Sequence, residues 1–533
     1  MINENINAPA NGASYNKIKY IEQLEYKVSG LEEENTHLNE LVKTYKKMLF
    51  GQSSEKTKYI EGNEQITLFN EAETEADPKV KEPTITVAAH ERKAKRTHEE
   101  LAAYLPIEEV LHTIPEEERV CGKCGDGLVV IGKEKVRDQI VFVPARTYIE
   151  RIVREVYVCP SCGEQESKDA ALSDIEKKNI IKAKVPEAVI EHSIASPSAV
   201  AYVMYEKYVN AVPLYRMEKD LERKGLKISR ATLANWVIYA SGRWLEPLWN
   251  ELKAELLRST VIHADETPVQ VLHEKGRKAT QKSYMWVYCT GEFYKHPAVL
   301  YEYSPTRAGE NAGKFLAGYH GALVADGYDG YNGVEAVRCG CWAHLRRRFK
   351  EAMPGTAEMK GSKAAVGFDF CNHLFALEKE FREKTPEERH KLRQEQSKKV
   401  LDAFWLWLDT VHSVGGSKLE KATGYARREN KYLNAFLDNP LIPISNNLCE
   451  NSIRPFTIGR KNWLFAASPK GAKASAVVYS IIESSKMNDL NPYEYLLYLF
   501  REMPRLKTLT PETLHAFMPW SASLPDSCKL HVD

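Results

Sequence analysis

Two Cys-x-x-Cys pairs, Cys121-Gly-Lys-Cys124 and Cys159-Pro-Ser-Cys162, stand thirty-four residues apart and constrain the folding of this chain more than any other feature. Each pair projects two thiolates from one tight turn, with Gly122, Gly125 and Gly163 supplying backbone freedom, and two such knuckles complete a tetrahedron. Ten cysteines in 533 residues are too few for a disulfide framework, so in a reducing compartment this spacing reads as metal binding. Four thiolates leave no open coordination position, which makes a Zn²⁺ held by Cys121, Cys124, Cys159 and Cys162 structural rather than catalytic. Alternation in Gln139–Val143 and Tyr148–Arg154 predicts strands between the knuckles.

At about 150 residues per domain the chain has room for three or four domains and a large core. Hydrophobic residues at 43% and charged residues at 28% exclude a wholly disordered or collagen-like chain. Seventy-four Lys and Arg against seventy-three Asp and Glu give a net charge of +1, so any surface for nucleic acid must be local. No run approaches the roughly 18 apolar residues of a membrane span, and the start lacks the basic and apolar regions of a signal peptide. A cytoplasmic location is expected.

A heptad runs from Ile21 to Leu49, with Ile21, Val28, Asn35, Val42 and Leu49 at a, and Leu24, Leu31, Leu38 and Tyr45 at d. β-Branched residues and one Asn at a, with Leu at d, favour a parallel two-stranded coil, in which the Asn amides pair only in register. The chain is therefore expected to be a homodimer or a higher assembly. The alternative is one amphipathic helix packed on its own domain. Residues of about 70 to 100 are poor in large apolar side chains and read as linker. Their basic cluster, Arg92, Lys93, Lys95 and Arg96, reads as a solvated charge run.

From Pro186 to about Ala240 the pattern is helical. A helix through Leu214–Arg223 meets a Gly-containing turn, Ser229 can cap the next helix, and Leu233, Trp236 and Val237 form its buried stripe. This has the shape of a helix-turn-helix, which would offer Arg230, Thr232 and Asn235 to a major groove. An ordinary helical hairpin is the alternative.

After Arg258 short strands are predicted at Val261–Leu272, Ser283–Cys289, Ala298–Tyr303, Ala322–Asp326 and near Val337–Cys341, with a helix near Gly309–Tyr319. The order suggests a mixed sheet flanked by helices. Asp265 and Asp326 sit on or just after buried strands, where an unpaired carboxylate is costly and a shared divalent cation would be a partner. Glu450 follows Asn446, which can cap a short helix that Pro455 should end or kink. Beyond it Arg454, Arg460, Lys461, Lys470 and Lys473 occur without an intervening acid. A second basic group, Arg346, Arg347, Arg348 and Lys350, follows Cys341-Trp-Ala-His344. Both groups suit phosphate. Three acids from separate segments can hold two Mg²⁺ about 4 Å apart for in-line phosphodiester displacement. Composition and spacing alone do not single these three out from seventy-three acids, and ordinary strand-end Asp and helix-surface Glu residues look the same.

At these residues the chain resembles the insertion sequence 66 family of bacterial transposases. The resemblance lies in His263-Ala-Asp-Glu-Thr-Pro-Val-Gln-Val-Leu272, Ala325-Asp-Gly-Tyr-Asp-Gly-Tyr331, Cys341-Trp-Ala-His-Leu-Arg-Arg-Arg-Phe349, Glu450-Asn-Ser-Ile-Arg-Pro455 and Gly459-Arg-Lys-Asn-Trp-Leu-Phe465. Upstream, Leu49-Phe-Gly-Gln-Ser-Ser-Glu-Lys56, the Cys pairs and Ser229–Trp236 match as well. The resemblance implies a multidomain α/β plus α protein: a leucine zipper, a zinc-binding domain, a helix-turn-helix and a ribonuclease H-like catalytic core. Its catalytic Asp, Asp, Glu triad falls on Asp265, Asp326 and Glu450, with Mg²⁺ or Mn²⁺ as metal. Asp329, three residues after Asp326, is not separated from it by strand geometry alone.

The expected organisation is a coiled coil at 15–50, linker at 51–105, zinc-binding domain at 106–170 and helix-turn-helix domain at 180–245. A catalytic domain follows at 255–351 and 441–487, with a helical insertion at 352–440 and a C-terminal helical segment at 488–533. The implied activity is recognition of terminal inverted repeats, DNA cleavage and strand transfer, by a nucleoid-associated protein acting on double-stranded DNA with small accessory proteins from the same element. The alternative is a non-catalytic, transposase-derived dimeric DNA-binding regulator.

Overall fold

In a computed structural model of the chain, a five-stranded mixed sheet carries the middle of the sequence. The structure describes residues 148–158, 180–353 and 361–530, with helical positions at 24–25, 27–28, 30–31 and 35. Leu24, Val28 and Leu31 are exposed at those helical positions, as heptad residues of a single chain would be. Asn35 is exposed as well, whereas Ile21, Leu38, Val42, Tyr45 and Leu49, the linker and the four cysteines Cys121, Cys124, Cys159 and Cys162 lie outside the described residues.

The strand expected at Tyr148–Arg154 is not there. Residues 148–155 carry no regular structure, and Ile149 and Val153 are 88% and 79% exposed. Alternation marks two faces, but a strand also needs a neighbour to take its N–H and C=O groups. Among the described residues that neighbour is present only for β1 (Val156–Val158), which pairs antiparallel with β2 (Ile180–Lys182).

Three helices follow: α1 (Pro197–Tyr208), α2 (Leu214–Arg223) and α3 (Arg230–Ala240). Gly225 turns the chain between α2 and α3 with φ +85°, a conformation that favours glycine. The Ser229 side chain then accepts the Thr232 N–H at 3.2 Å and caps α3. Leu233, Trp236, Val237 and Ala240 are its buried face. A π-helical turn, Ser241–Leu245, leads into α4 (Glu246–Leu256).

The sheet comprises β3 (Val261–Gln270), β4 (Lys282–Thr290), β5 (Val299–Ser304), β6 (Ala322–Val324) and β7 (Val337–Cys339), with α5 (Gly309–Phe315) between β5 and β6. Its order is β5-β4-β3-β6-β7; β3, β4 and β5 pair antiparallel, and β6 lies parallel to β3 and β7. Helices cover both faces. On one, Tyr288 stacks on Phe315 of α5 with ring centroids 3.8 Å apart, an arrangement contributing about 1 kcal/mol beyond its buried area.

After α6 (Trp342–Ala352) the segment expected as a helical insertion folds as α7 (Lys363–Phe381), α8 (Pro386–Leu392), α9 (Lys398–Thr410) and α10 (Lys418–Leu433). Its core is continuous with the sheet edge: Val324, Cys339, Trp342 and Phe349 pack with Phe404, Leu408 and Leu433. The helices α11 (Asn447–Trp463), α12 (Pro469–Met487) and α13 (Pro492–Glu502) then join the core of α1–α4 and the sheet, and the short α14 (Pro511–Leu514) follows.

Pro455 does not end α11, contrary to the expectation of a short helix. The helix runs for 17 residues with Pro455 inside it. An interior proline costs about 3 kcal/mol. Burial of Cys449, Ile453 and Phe456 outweighs that, because each large apolar side chain removed from water contributes about 1.5–3 kcal/mol.

Candidate active site

The pairing of β3 with β6 brings the two aspartates together. Val261, Ile262 and His263 stand opposite Ala322, Leu323 and Val324 in a parallel ladder, and the same register carried two residues further sets Asp265 opposite Asp326. Parallel neighbours lie about 4.8 Å apart, so a carboxylate from the middle of β3 stands beside one just past the end of β6. Beyond β6 the backbone stays tied to β7, since Ala325 N–H bonds to the Cys339 carbonyl at 3.1 Å, and the charge of Asp326 reaches Asp265. Asp326 Oδ1 accepts the Tyr328 N–H at 2.9 Å. Asp329 is exposed and turned toward Asn332, and the charge that reaches Asp265 from this loop is that of Asp326.

Glu450 comes from the other side of the sequence on the first turn of α11. What docks that turn is Asn446, at the N-cap position. Its side chain does not cap the helix as expected. Asn446 Oδ1 instead lies 3.0 Å from His263 Nδ1, Nδ2 donates to the Ala264 carbonyl at 2.8 Å, and its N–H reaches the Cys341 sulfur at 3.2 Å. One buried amide thus joins α11, β3 and the start of α6. At the far end Arg460 donates to Thr267 Oγ1 at 2.9 Å and to the Pro268 carbonyl, fastening α11 along β3.

The resulting pocket holds more negative charge than it compensates. Burial, followed by the charges of Glu266, Asp326 and Glu450, pushes the Asp265 carboxyl up to about 8. Glu266 points to the opposite face, where Tyr331 and Arg307 bond it at 2.6 and 2.7 Å; burial still holds it above the usual carboxylate range. Burial lowers His263 to about 4, so its ring is neutral and Nδ1–H is the donor to Asn446. Burial also lowers His344, against the opposing charges of Glu450 and Asp326. Ligand atoms of Cys341, His344 and Glu450 lie within 4.8 Å of one another.

The insertion reaches this site. Arg338 Nη2 donates to the Asp326 carbonyl at 2.9 Å and to Glu429 Oε2 of α10 at 2.7 Å, and the pair is 5% and 1% exposed. Gly327, directly after Asp326, has no room for a Cβ, which would come within 2.6 Å of Tyr425 on the same helix.

The basic residues separate into two groups. Arg347 is exposed and donates to Glu450 Oε2 at 3.2 Å. Arg454 and Lys461 are exposed on α11, four and eleven residues after Glu450 and therefore on its face. Arg460 is spent on β3, and Arg346 is held by Asn372 at 2.7 Å and by the Phe368 ring, both on α7. On α3, Arg230 and Asn235 are exposed, while Thr232 lies partly buried with its hydroxyl 3.0 Å from Ser229.

Sequence reasoning gave no task to Glu266 and His344, although both lie inside the motif strings. It passed over Arg338 and Glu429, for which no local pattern could serve: the two residues are 91 positions apart.

A family model described as "Transposase IS66 family" matches residues 192–474, which include Asp265, Asp326 and Glu450. Others match residues 118–163, containing Cys121, Cys124, Cys159 and Cys162 ("zinc-finger binding domain of transposase IS66"), residues 480–520 ("IS66 C-terminal element") and residues 37–110 ("Transposase C of IS166 homeodomain"). Among similar proteins, the uncharacterized protein y4qI of Sinorhizobium fredii is 28% identical over 91% of this chain and 88% of its own length. The uncharacterized protein y4jD of the same organism is 28% identical over 79% of this chain and 81% of its own. With its central half and its flanking segments all matched, the chain belongs to the IS66 family of transposases.

Proposed function

We propose that this transposase binds the terminal inverted repeats of an insertion sequence, cuts at its ends and joins the freed 3′ hydroxyl to target DNA, using Asp265, Asp326 and Glu450 in a ribonuclease H-like core. The observation that carries this reading is the register of β3 and β6, which sets Asp265 opposite Asp326 while α11 brings Glu450 to the same pocket.

The donor set fits divalent cations. Burial, with the neighbouring carboxylates, holds Asp265 up to about 8, and hard oxygen donors suit Mg²⁺ or Mn²⁺. When bound, such ions supply the charge that activates an attacking oxygen and stabilises a leaving one. Asp265 offers donors from the middle of β3 and Asp326 from just past the end of β6, and Glu450 offers one from a helix clamped at Asn446 and Arg460. Arg347 orients Glu450, and Arg454 and Lys461 extend a cationic path along the same helix for the DNA backbone. Arg230 and Asn235 are placed to meet DNA from α3, and Cys121, Cys124, Cys159 and Cys162 hold a structural Zn²⁺. The helical positions at 24–25, 27–28, 30–31 and 35 belong to a dimerising coil.

The test is a nicking assay on a plasmid carrying the element's ends, with Mg²⁺ present. Asp265→Asn is expected to abolish cutting and leave end binding intact; Mg²⁺-dependent cutting by that variant would reject the assignment. A wild-type chain that binds ends in Mg²⁺ and never cuts would be the regulator instead.

A further inference from the structure

His344 has no task in the triad, yet it faces it. The residue lies on the first turn of α6, with its side chain 22% exposed, and its Nδ1 stands 3.6 Å from Glu450 Oε1. Both atoms are closed off from solvent, and neither has a hydrogen-bond partner. The separation is too long for a hydrogen bond, and leaving a buried polar atom unsatisfied costs about 1–3 kcal/mol. A carboxylate oxygen and an imidazole nitrogen facing each other unpaired are two donors for one cation. Adjacent donors bound about 2.1 Å from a shared octahedral ion stand about 3.0 Å apart, so the pair would close by about 0.6 Å on binding.

The surroundings select the same pair of atoms. Glu450 Oε2 is occupied by Arg347 at 3.2 Å, which leaves Oε1 for an ion. The Cys341 sulfur accepts the Asn446 N–H at 3.2 Å and is engaged in the docking of α11. Asp265 and Asp326 contribute oxygen alone, so His344 is what would make the Glu450 position chemically different from theirs.

We propose that His344 is a metal ligand that shares a cation with Glu450, and that its nitrogen makes this position prefer a first-row transition ion such as Mn²⁺ over Mg²⁺. Imidazole is a common ligand of transition metals, whereas Mg²⁺ keeps to oxygen donors and water. The inference rests on the reading of Asp265, Asp326 and Glu450 as a metal cradle, and it adds a residue and a selectivity to that reading.

The experiment uses the full-length, zinc-loaded protein without DNA. Mn²⁺ is titrated by electron paramagnetic resonance, and spin-echo modulation reports any ¹⁴N bonded to the bound ion. Wild type is expected to show ¹⁴N coupling. His344→Ala should lose it and weaken Mn²⁺ binding at that position by about tenfold or more, with Mg²⁺ affinity unchanged. His344→Phe, which keeps the bulk of the ring, is expected to behave alike and guards against a loss of folding. Coupling absent from wild type, coupling that persists in both variants, or Mn²⁺ affinity unchanged in both would overturn the proposal. Coupling without cutting of element ends would sink the transposition reading and leave the ligand standing; cutting without coupling would do the reverse.

Discussion

His263 Nδ1 donates to Asn446 Oδ1 across 3.0 Å, two residues before Asp265 on one element and four before Glu450 on another. The bond is buried, and the second arm of the amide holds the backbone of β3 at Ala264. It fixes how far the helix bearing Glu450 stands from the strand bearing Asp265.

Removing that amide should therefore act on both stability and rate. Asn446→Ala strips partners from His263 Nδ1 and the Ala264 carbonyl, each left unsatisfied at about 1–3 kcal/mol. Denaturant unfolding should show a loss of about 2 kcal/mol or more, and cutting of element ends should fall while end binding persists. Unchanged cutting would mean that Glu450 is positioned by other contacts.

Asp265 should make the metal-free protein less stable as pH rises. Its folded-state value of about 8 lies above the ordinary value of 3.8, so between those limits the folded chain binds the extra proton. This contribution is fully present below about pH 4 and is lost as pH climbs through about 8. With zinc retained and no Mg²⁺ or Mn²⁺, the Tm of Asp265→Asn should exceed that of wild type by a margin that widens from pH 5 to pH 8. Adding Mn²⁺ should narrow it, because only wild type gains from binding. A margin independent of pH would show that the carboxyl is not perturbed.

The insertion should matter to catalysis through Arg338. Glu429→Gln leaves a buried guanidinium without its charge partner, a loss of about 3–5 kcal/mol. The double replacement Arg338→Met with Glu429→Leu should recover much of that stability. It should not recover cutting, because the Asp326 carbonyl has lost its donor. A double variant that cuts at the wild-type rate would confine the pair to a structural role.

The basic residues of α11 should separate in a salt titration. Arg454→Ala and Lys461→Ala should each weaken DNA binding and reduce the slope of log K against log salt by about 0.9, as expected for one lost phosphate contact. Arg460→Ala should lower Tm with little change in slope, since its guanidinium bonds Thr267 and Pro268. Fluorescence anisotropy across a KCl series reads both, and equal slopes for all three variants would contradict this division.

Much of the sheet was legible because its strands are short apolar runs bounded by turn residues, and β3 to β7 lie where the pattern put them. The turn and cap of α3 were legible for the same local reason, Gly225 and Ser229 being residues that these positions favour. Pro455 misled because propensity is local, whereas the force that carries α11 through it is burial against a sheet distant in sequence. The alternation at Tyr148–Arg154 misled because no strand among the described residues pairs with it.

By itself the sequence determined which residue types are available: acids on or just after buried strands, cysteines at metal spacing, cations without neighbouring acids. Only the tertiary structure decided which of them meet. Parallel register, and nothing in the local sequence, sets Asp265 opposite Asp326, and one buried amide brings up a helix that starts 182 residues after Asp265. Long-range placement of this kind depends on packing between faces, and packing can be read only once the faces have met.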